Sequence, residues 1–319
     1  KDDEILSLCT VETERAAAEA ANNILMSDAY FRQIKNRVVA TLVRTVRQLR
    51  DFSEGSEFSV RALEQPFGTK GAWKGLSFNL PDGVKVELVG QIDRVDTLEL
   101  DGRTFILIVD YKSGKKSITL PEVYSGLELQ LFLYMAVARR NLGSKAVPAG
   151  AVYCRVRNDV QRCSAEPTAA EKERAYIKAG QLSGFYLNDS DVVRALDDCT
   201  MEGRAASPYS GLKINNDGTL KKAANVSDEA EWYRLLRLVE AAACRSASEL
   251  MSGCIDIYPA RWGSSNEHKA CDYCPYAALC RFDVTAEDGN SWNYLGNLSI
   301  DDLFPDTVIV KDGGQDGVD

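Results

Sequence analysis

The sequence lacks several features, and each absence argues against a class of protein. No apolar run reaches the roughly 20 residues of a membrane-spanning helix, and no signal peptide is visible, so we expect a cytoplasmic protein. Positive charge is in deficit, because 38 Lys and Arg residues stand against 47 Asp and Glu residues, a formal net charge of −9. This balance argues against nonspecific nucleic-acid binding over the whole surface. No internal repeat of useful period is present, so we expect no repeat architecture.

The composition is otherwise that of an ordinary globular protein, with 45% apolar and 27% charged residues. A chain of 319 residues can bury a large core as one big domain or as two. Because the chain begins with Lys1 rather than Met, we expect a fragment of a longer protein.

A hairpin is predicted in the stretch GQIDRVDTLELDGRTFILIVDYKSG, residues 90–114. Two runs rich in β-branched residues, Val84 to Leu98 and Thr104 to Tyr111, flank the dipeptide Asp101-Gly102. This dipeptide is a strong signal for a type I′ turn, which needs positive φ at both central positions. If it forms the loop, the residues on either side of it face each other, and the register of the whole hairpin follows.

In that register, Asp93 lies directly opposite Asp110 on one sheet face, with Cβ atoms roughly 5 Å apart. Lys112 shares this face, whereas Ile92 and Val109 point into a core. Two like charges so close are destabilising unless a cation binds between them, they share a proton, or the register slips. Oxygen ligands with spare coordination positions suit Mg²⁺ or Mn²⁺. The alternative is two exposed aspartates on a solvated face, and the neighbouring lysine argues against it.

The rest of the chain predicts an α/β core with a mixed sheet. Further strands are expected around residues 58–68, 75–80 and 148–156, with a second turn at Asp82-Gly83. Residues 10–50 are predicted to form two helical segments, of which the second begins at Asp28, and residues 124–140 are predicted to form a buried helix. Two further helices are predicted, one from Thr168, opened by a capping box, to about Gln181, and one from the N-cap Ser227 to about Met251. The segment 51–58 is interpreted as a linker, and residues 200–226 as a polar, irregular stretch.

Four parts of the chain follow from this pattern. They are a helical lead-in (1–55), a core (56–199), a helical and cysteine-rich module (200–305) and a disordered tail (306–319).

Basic residues decorate the second predicted helix and the segment after the hairpin, and they indicate either a solvated face or a local nucleic-acid contact. They are Arg32, Lys35, Arg37, Arg44, Arg47 and Arg50 on the helix, and Lys112, Lys115 and Lys116 after the hairpin.

Nine cysteines would be many for disulfides in a reducing cytosol. Six are scattered and are interpreted as core or surface thiols: Cys9, Cys154, Cys163, Cys199, Cys244 and Cys254. The other three are clustered as Cys271-x₂-Cys274-x₅-Cys280. With His268 as a fourth ligand they would make a Cys₃His zinc site.

The hairpin motifs resemble the RecB-type branch of the PD-(D/E)XK nuclease superfamily. That pattern reads G-x-I-D-R-hydrophobic-D, then D-Y-K-[ST]-G, then Q-x-x-x-Y, and it is met here by Asp93, by Asp110-Tyr111-Lys112 and by Gln130 with Tyr134. The resemblance implies a restriction-endonuclease-like α/β fold with a mixed sheet flanked by helices. It also implies a metal-dependent deoxyribonuclease.

By the same resemblance, Asp93 and Asp110 ligate Mg²⁺ (or Mn²⁺), and Lys112 orients or activates the attacking water or acts by electrostatics alone. Glu64 resembles the additional acidic residue of this branch, although an exposed strand Glu is the ordinary alternative. Gln130 and Tyr134 resemble positioning residues, against the alternative of a helix packed with amphipathic side chains. One departure is the histidine that this branch carries on a preceding helix, because the single histidine here is His268.

Residues 24–305 further resemble the nuclease region of the AddB family, subunits of bacterial AddAB helicase–nucleases. This resemblance implies that Cys271, Cys274 and Cys280 hold a [4Fe-4S] cluster in the full-length protein, with the fourth cysteine outside this chain. It implies an AddA-type partner and an exonuclease acting on single-stranded ends of unwound duplex DNA during double-strand-break repair. Rival interpretations are a free-standing Cas4-like nuclease and a catalytically silent DNA-binding module.

Overall fold

The computed structural model describes residues 1–19, 28–69, 71–80, 83–114, 116–156, 166–197, 207, 209–215, 220–221, 225–285, 291–296 and 298. Two compact units make up the chain, the first from residues 1–76, 87–117 and 134–229 and the second from residues 77–86, 118–133 and 230–319. The four-part division expected from sequence stays a prediction. Within the described ranges, no helix has the length and apolar character needed to cross a membrane.

The strands are, in chain order, β1 (Ser59–Phe67), β2 (Leu76–Asn79), β3 (Lys85–Leu88), β4 (Gly90–Leu100), β5 (Arg103–Lys112), β6 (Ala146–Arg155), β7 (Ser183–Leu187), β8 (Val226–Ser227), β9 (Ala260–Trp262), β10 (His268–Lys269) and β11 (Asn293–Gly296). The helices are α1 (Asp2–Glu19), α2 (Ala29–Glu54), α3 (Leu120–Tyr124), α4 (Gln130–Leu142), α5 (Ala169–Ala179), α6 (Ser190–Leu196), α7 (Glu229–Met251) and α8 (Ala277–Cys280).

A mixed sheet forms the centre of the first unit. Among the described residues it has six strands in the order β1-β4-β5-β6-β7-β8. Pairing is antiparallel from β1 through β4 to β5 and between β6 and β7, and it is parallel between β5 and β6 and between β7 and β8. Strand β6 is buried from Ala146 through Cys154, as expected of a central strand covered on both faces. The predicted α/β fold with a mixed sheet flanked by helices is confirmed.

The hairpin forms with the predicted turn and register. Asp101 and Gly102 have φ values of 51° and 72°, so both occupy the left-handed region that a type I′ turn requires. Leu100 pairs with Arg103, and the ladder continues without a shift to Arg94 opposite Val109.

The first arm of the hairpin is shorter than predicted, and the expectation of one strand from Val84 to Leu98 is wrong. Strand β3 ends at Leu88 and pairs with β2, whereas β4 begins at Gly90 and pairs with β1. The chain therefore changes partner at Val89. Gly90 lies against the ring of Phe67, where a Cβ would come within 2.8 Å of the ring carbon Cζ.

The structure confirms the predicted capping box at Thr168 and shows that Asp28, predicted only as the first residue of the second helix, is the N-cap of α2. The Asp28 side chain accepts a hydrogen bond of 2.9 Å from the Phe31 N–H at the start of α2. Thr168 and Glu171 form a reciprocal capping box at the start of α5. These signals are local in sequence, so they can be read without the fold.

Four boundaries differ from prediction. Helix α1 begins at Asp2 rather than near residue 10, and α2 continues to Glu54, so half of the predicted linker is helical. The predicted buried helix over 124–140 is interrupted after α3 by Gly126, with φ of 82°, and α4 begins only at Gln130. Ser227 lies in β8, paired with Leu187, so it is not the N-cap of α7.

Helix α1 pairs with α2 through an apolar cluster of Ile5, Cys9 and Val43, with Val39 and Leu42 packed against it. Carboxylates of α1 also meet the basic residues of α2. Lys35 lies 2.8 Å from Glu14, and Asp2 lies 3.2 Å from Arg47 and 2.7 Å from Arg50. Of the two interpretations of these cations, the structure favours a paired, solvated helix face.

The second unit contains a three-stranded sheet, among its described residues, in the order β10-β9-β11. Its most buried aromatic contact joins Phe132 and Trp232, both fully inaccessible to solvent, with ring centroids 5.8 Å apart. The turn at Asp82, the cysteines Cys163 and Cys199, most of the polar stretch 200–226 and the tail 306–319 lie outside the described residues.

We predict that Gly102→Ala destabilises the protein by about 1–2 kcal/mol, because an L-residue with a side chain is strained at φ of 72° even where the added Cβ meets no atom within 4 Å. The measurement is thermal unfolding. Gly114→Ala is the matched control, since its Cβ also meets nothing but its φ is outside the left-handed region. Equal loss of stability in both variants would contradict the assigned turn.

Candidate active site

Asp93 and Asp110 are brought together by the hairpin register. The ladder extends to Arg94 opposite Val109, so the next position sets Asp93 opposite Asp110. Side chains alternate along a strand, and both carboxylates therefore lie on the same face of the sheet. Asp110 is 1% exposed, whereas Asp93 is half-buried. One carboxylate oxygen of Asp93, Oδ2, accepts a hydrogen bond of 2.9 Å from the Tyr111 main-chain N–H.

Lys112 lies between a carboxylate and an aromatic ring. Its Nζ is 2.7 Å from Asp110 Oδ2 and 5.4 Å from the ring centroid of Tyr153. Tyr153, 2% exposed, is the β6 partner of Asp110. The Nζ of Lys116, in the segment after β5, lies 5.8 Å from the same ring. The face of the ring thus attracts two ammonium groups beside the carboxylates.

Glu64 occupies the position of β1 next to this pair. Leu63 faces Arg94 and Gln65 faces Ile92, so the register places Glu64 opposite Asp93. Its φ of 47° is the left-handed conformation, which is strained for a glutamate. Its carboxylate accepts a hydrogen bond from the side-chain amide of Gln91. Strained backbone of this kind is concentrated at functional sites, and nothing in the sequence signalled it.

The donor set at the hairpin fits a hard divalent cation. Mg²⁺ is usually held by one or two carboxylates together with waters and substrate phosphates, and Asp93 and Asp110 supply such a pair. Among the described His, Cys, Asp and Glu side chains, no group of three or more is arranged to hold one metal ion. Glu64 therefore stands beside the two aspartates in the strand register without completing a three-carboxylate cage.

The opposite face of the same strands carries a buried ion pair, formed by the Arg and the final Asp of the G-x-I-D-R-hydrophobic-D motif, to which the sequence analysis gave no role. Arg94, 5% exposed, binds both carboxylate oxygens of Asp96, which is fully buried. Burial alone would lower the pKa of Arg94, but the hydrogen bonds and charge of Asp96 raise it above its ordinary value. Only the Arg-x-Asp spacing, which puts both side chains on one strand face, could have indicated the pair in advance.

Gln130 and Tyr134 lie four residues apart in α4, which places them on one helix face as predicted. The Tyr134 ring packs edge-on against Phe67 of β1, with centroids 5.9 Å apart. Both side chains are half-buried.

The three clustered cysteines lie in a 3₁₀ turn over Ala270–Tyr273 and in α8. Partial burial raises the pKa of the Cys271 thiol, and the charges of Cys274 and Cys280 raise it further. Among the described residues, however, the three thiols do not form a group arranged to hold one metal ion. The His268 ring packs at a tilt against Trp262, with centroids 5.9 Å apart, and it joins no metal-holding group with the cysteines among the described residues. This arrangement gives no support to a Cys₃His zinc ion.

Comparison with known proteins agrees with the motifs. Residues 2–281 match the family described as the PD-(D/E)XK nuclease superfamily. A subunit of the ATP-dependent helicase/deoxyribonuclease of Bacillus thuringiensis (strain Al Hakam) is 34% identical to this chain over 316 residues. The alignment covers 97% of this chain and 26% of the relative. The protein of that description from Bacillus cereus (strain ATCC 14579) is 34% identical over 323 residues, 99% of this chain and 27% of the relative. The chain thus spans about a quarter of the length of these relatives.

We predict that Asp93→Asn leaves the thermal unfolding temperature unchanged or raises it in metal-free buffer. The amide removes one of two facing charges, while its oxygen still accepts the Tyr111 N–H. Asp93→Ala also loses this acceptor and should be less stable than Asp93→Asn by about 1 kcal/mol. An Asn variant that unfolds below the wild-type temperature would contradict the facing-carboxylate geometry, and one that unfolds as early as the Ala variant would contradict the hydrogen bond from Tyr111.

Proposed function

The chain belongs to the PD-(D/E)XK nuclease superfamily, and from that membership we propose that it is the nuclease part of a helicase–nuclease subunit. In this proposal it is a metal-dependent deoxyribonuclease that degrades a single strand unwound from a DNA end. The observation that carries the proposal is the placement of Asp93, Asp110 and Lys112 on one face of a single hairpin, with Lys112 Nζ 2.7 Å from the Asp110 carboxylate.

Phosphodiester hydrolysis requires a positioned water and compensation of the negative charge that develops on the phosphate. Asp93 and Asp110 would hold Mg²⁺ or Mn²⁺, which supplies that compensation when bound. The Lys112 ammonium would orient the attacking water or stabilise charge directly, and its position between Asp110 and the Tyr153 ring restricts where it can reach. We further propose Gln130 and Tyr134 as positioning residues, and Glu64 as an accessory acid whose strained backbone is its main support.

The relatives' names support the wider setting. They describe a subunit of an ATP-dependent helicase/deoxyribonuclease, and this chain covers about a quarter of it. We propose that the full-length protein pairs with an AddA-type subunit in the bacterial cytoplasm. There the complex would process double-strand DNA ends for recombinational repair, with single-stranded ends as the substrate of this nuclease.

We predict that Asp110→Ala lowers Mg²⁺-dependent cleavage of single-stranded DNA by the full complex to the background of the assay, because one of two metal-binding carboxylates is lost. Lys112→Ala should lower turnover while leaving metal binding nearly intact, since an ammonium is not a metal ligand. Glu99→Ala, which removes an exposed acid from the far end of β4, is the control and should cleave at the wild-type rate.

Cleavage by Asp110→Ala within about tenfold of wild type would sink the nuclease assignment. Absence of cleavage in the wild-type complex, with metal bound normally, would instead favour a catalytically silent DNA-binding module.

We also propose that Cys271, Cys274 and Cys280 hold a [4Fe-4S] cluster in the full-length protein. Iron–sulfur clusters of this type take four thiolates, so a cysteine outside this chain would complete the set. Support comes from the Cys-x₂-Cys-x₅-Cys spacing, whereas the described positions of the three thiols do not by themselves form a metal-binding group. A link between regions distant in sequence would also constrain the unfolded chain.

For the full-length protein purified anaerobically, we expect iron and sulfide in equal amounts, and absorption in the visible range that is lost together with thermal stability in Cys274→Ala. Cys254→Ala, which removes an exposed cysteine outside the cluster, should keep both. Stoichiometric zinc without iron would overturn the proposal.

A further inference from the structure

The geometry points to Arg94 and Asp96 as positioning residues that set the metal site from the opposite face of the sheet, acting through Tyr111. This inference rests on the proposed function, because it concerns how Asp93 and Asp110 are held for a metal ion. Neither Arg94 nor Asp96 reaches the carboxylate face, since both alternate with Asp93 along β4.

The ion pair itself is tightly built. Arg94 Nε lies 2.8 Å from Asp96 Oδ1 and 3.0 Å from Oδ2, and Nη2 lies 2.7 Å from Oδ2. Both side chains are almost completely removed from water. Burying two charges is costly, and apolar residues of similar volume are often at least as stabilising. Stability alone therefore does not account for an ionic pair at this position.

Tyr111 connects the two faces of the sheet. Its side chain lies on the Arg94 face, where the guanidinium interacts with its hydroxyl. Its main-chain N–H donates to Asp93 Oδ2 at 2.9 Å on the other side. A displacement of Tyr111 would therefore move the group that orients Asp93, and it would carry Asp110 and Lys112 along, because they are its chain neighbours.

Arg94 is in turn anchored to the helix that covers this face. Its Nη2 lies 3.4 Å from Ser53 Oγ near the end of α2. Asp96 fixes the plane of the guanidinium, and Ser53 fixes its position along the sheet. The series Asp96, Arg94, Tyr111 and Asp93 thus connects a buried charge to a metal ligand by direct contacts. Partners that orient ligands in this way typically change metal affinity by about 10–100-fold when removed.

Two variants separate positioning from simple support of the fold. Tyr111→Phe deletes only the hydroxyl that meets Arg94 and keeps the main-chain N–H. The double variant Arg94→Met with Asp96→Leu replaces the ion pair by apolar side chains and leaves no unpaired buried charge. Tyr186→Phe is the control, since it also removes a tyrosine hydroxyl from the same sheet, one that is fully buried and donates to the Leu182 carbonyl at 2.9 Å.

The experiment titrates Mn²⁺ into each full-length variant and follows free Mn²⁺ by electron paramagnetic resonance, with Asp110→Ala as the background. Tyr111→Phe and the double variant should weaken Mn²⁺ binding by about tenfold. They should raise the metal concentration for half-maximal cleavage by the same factor and leave the KM for DNA unchanged. Tyr186→Phe should match wild type in all three measurements.

Mn²⁺ binding within about twofold of wild type in both test variants would overturn the inference, whatever their thermal stability. A wild-type protein that binds no Mn²⁺ above the Asp110→Ala background would overturn the proposed function, and the inference with it. The two failures are therefore distinguishable.

Discussion

Electrostatic repulsion between two carboxylates on neighbouring strands is the constraint on which the first unit depends. Asp110 is 1% exposed and faces Asp93 in the register of the hairpin, so water screens their interaction poorly. The fold offsets the repulsion with an ammonium 2.7 Å from Asp110 and a main-chain N–H 2.9 Å from Asp93. These contacts reduce the repulsion between Asp93 and Asp110 but do not remove it. A bound cation would relieve the repulsion that remains between the two carboxylates. Cation binding would therefore account for the presence of such a pair on a half-buried sheet.

Holding such a pair requires a register that cannot slip. A shift of one residue would exchange the two faces of β4 and move Arg94 and Asp96 to the sheet face on which Asp93 now lies. The type I′ turn specifies the register locally, since Asp101 and Gly102 both adopt positive φ. The buried ion pair specifies it again at a distance, because a slipped strand would bring its charges away from Ser53 and Tyr111 and leave them unpaired. The two faces of β4 thus stabilise the same alignment for different physical reasons.

The predictable part of the structure is the part encoded by neighbouring residues. The turn at Asp101-Gly102 and the capping box at Thr168 could be predicted because each is completed within a few positions. Where tertiary contacts decide, prediction was wrong. Gly126 interrupts a continuously apolar run, and Ser227 pairs with Leu187 in a strand although it resembles an N-cap. The spacing of Arg94 and Asp96 places them on one strand face, but the burial of the pair depends on α2, which meets that face through Ser53 and cannot be located from the sequence. The strain at Glu64 leaves no mark in the sequence.

On the proposed function, an acidic protein acts on DNA, and its unneutralised positive charge is then most useful near the catalytic carboxylates. The basic stripe of α2 does not serve this purpose in the structure, because Lys35, Arg47 and Arg50 pair with Glu14 and Asp2 of α1. The phosphates of a DNA strand bound along α2 would have to compete with these ion pairs for the basic side chains. At the hairpin Lys112 is also paired, with Asp110 at 2.7 Å, but both Lys112 and Lys116 approach the ring of Tyr153, whose π face attracts cations without neutralising their charge. On the proposed function, attraction for a phosphate is therefore concentrated beside Asp93 and Asp110. The net charge of −9 over the whole chain limits nonspecific binding to DNA. On the proposed function, productive contact with DNA would then be confined to the site where a bound metal ion adds positive charge.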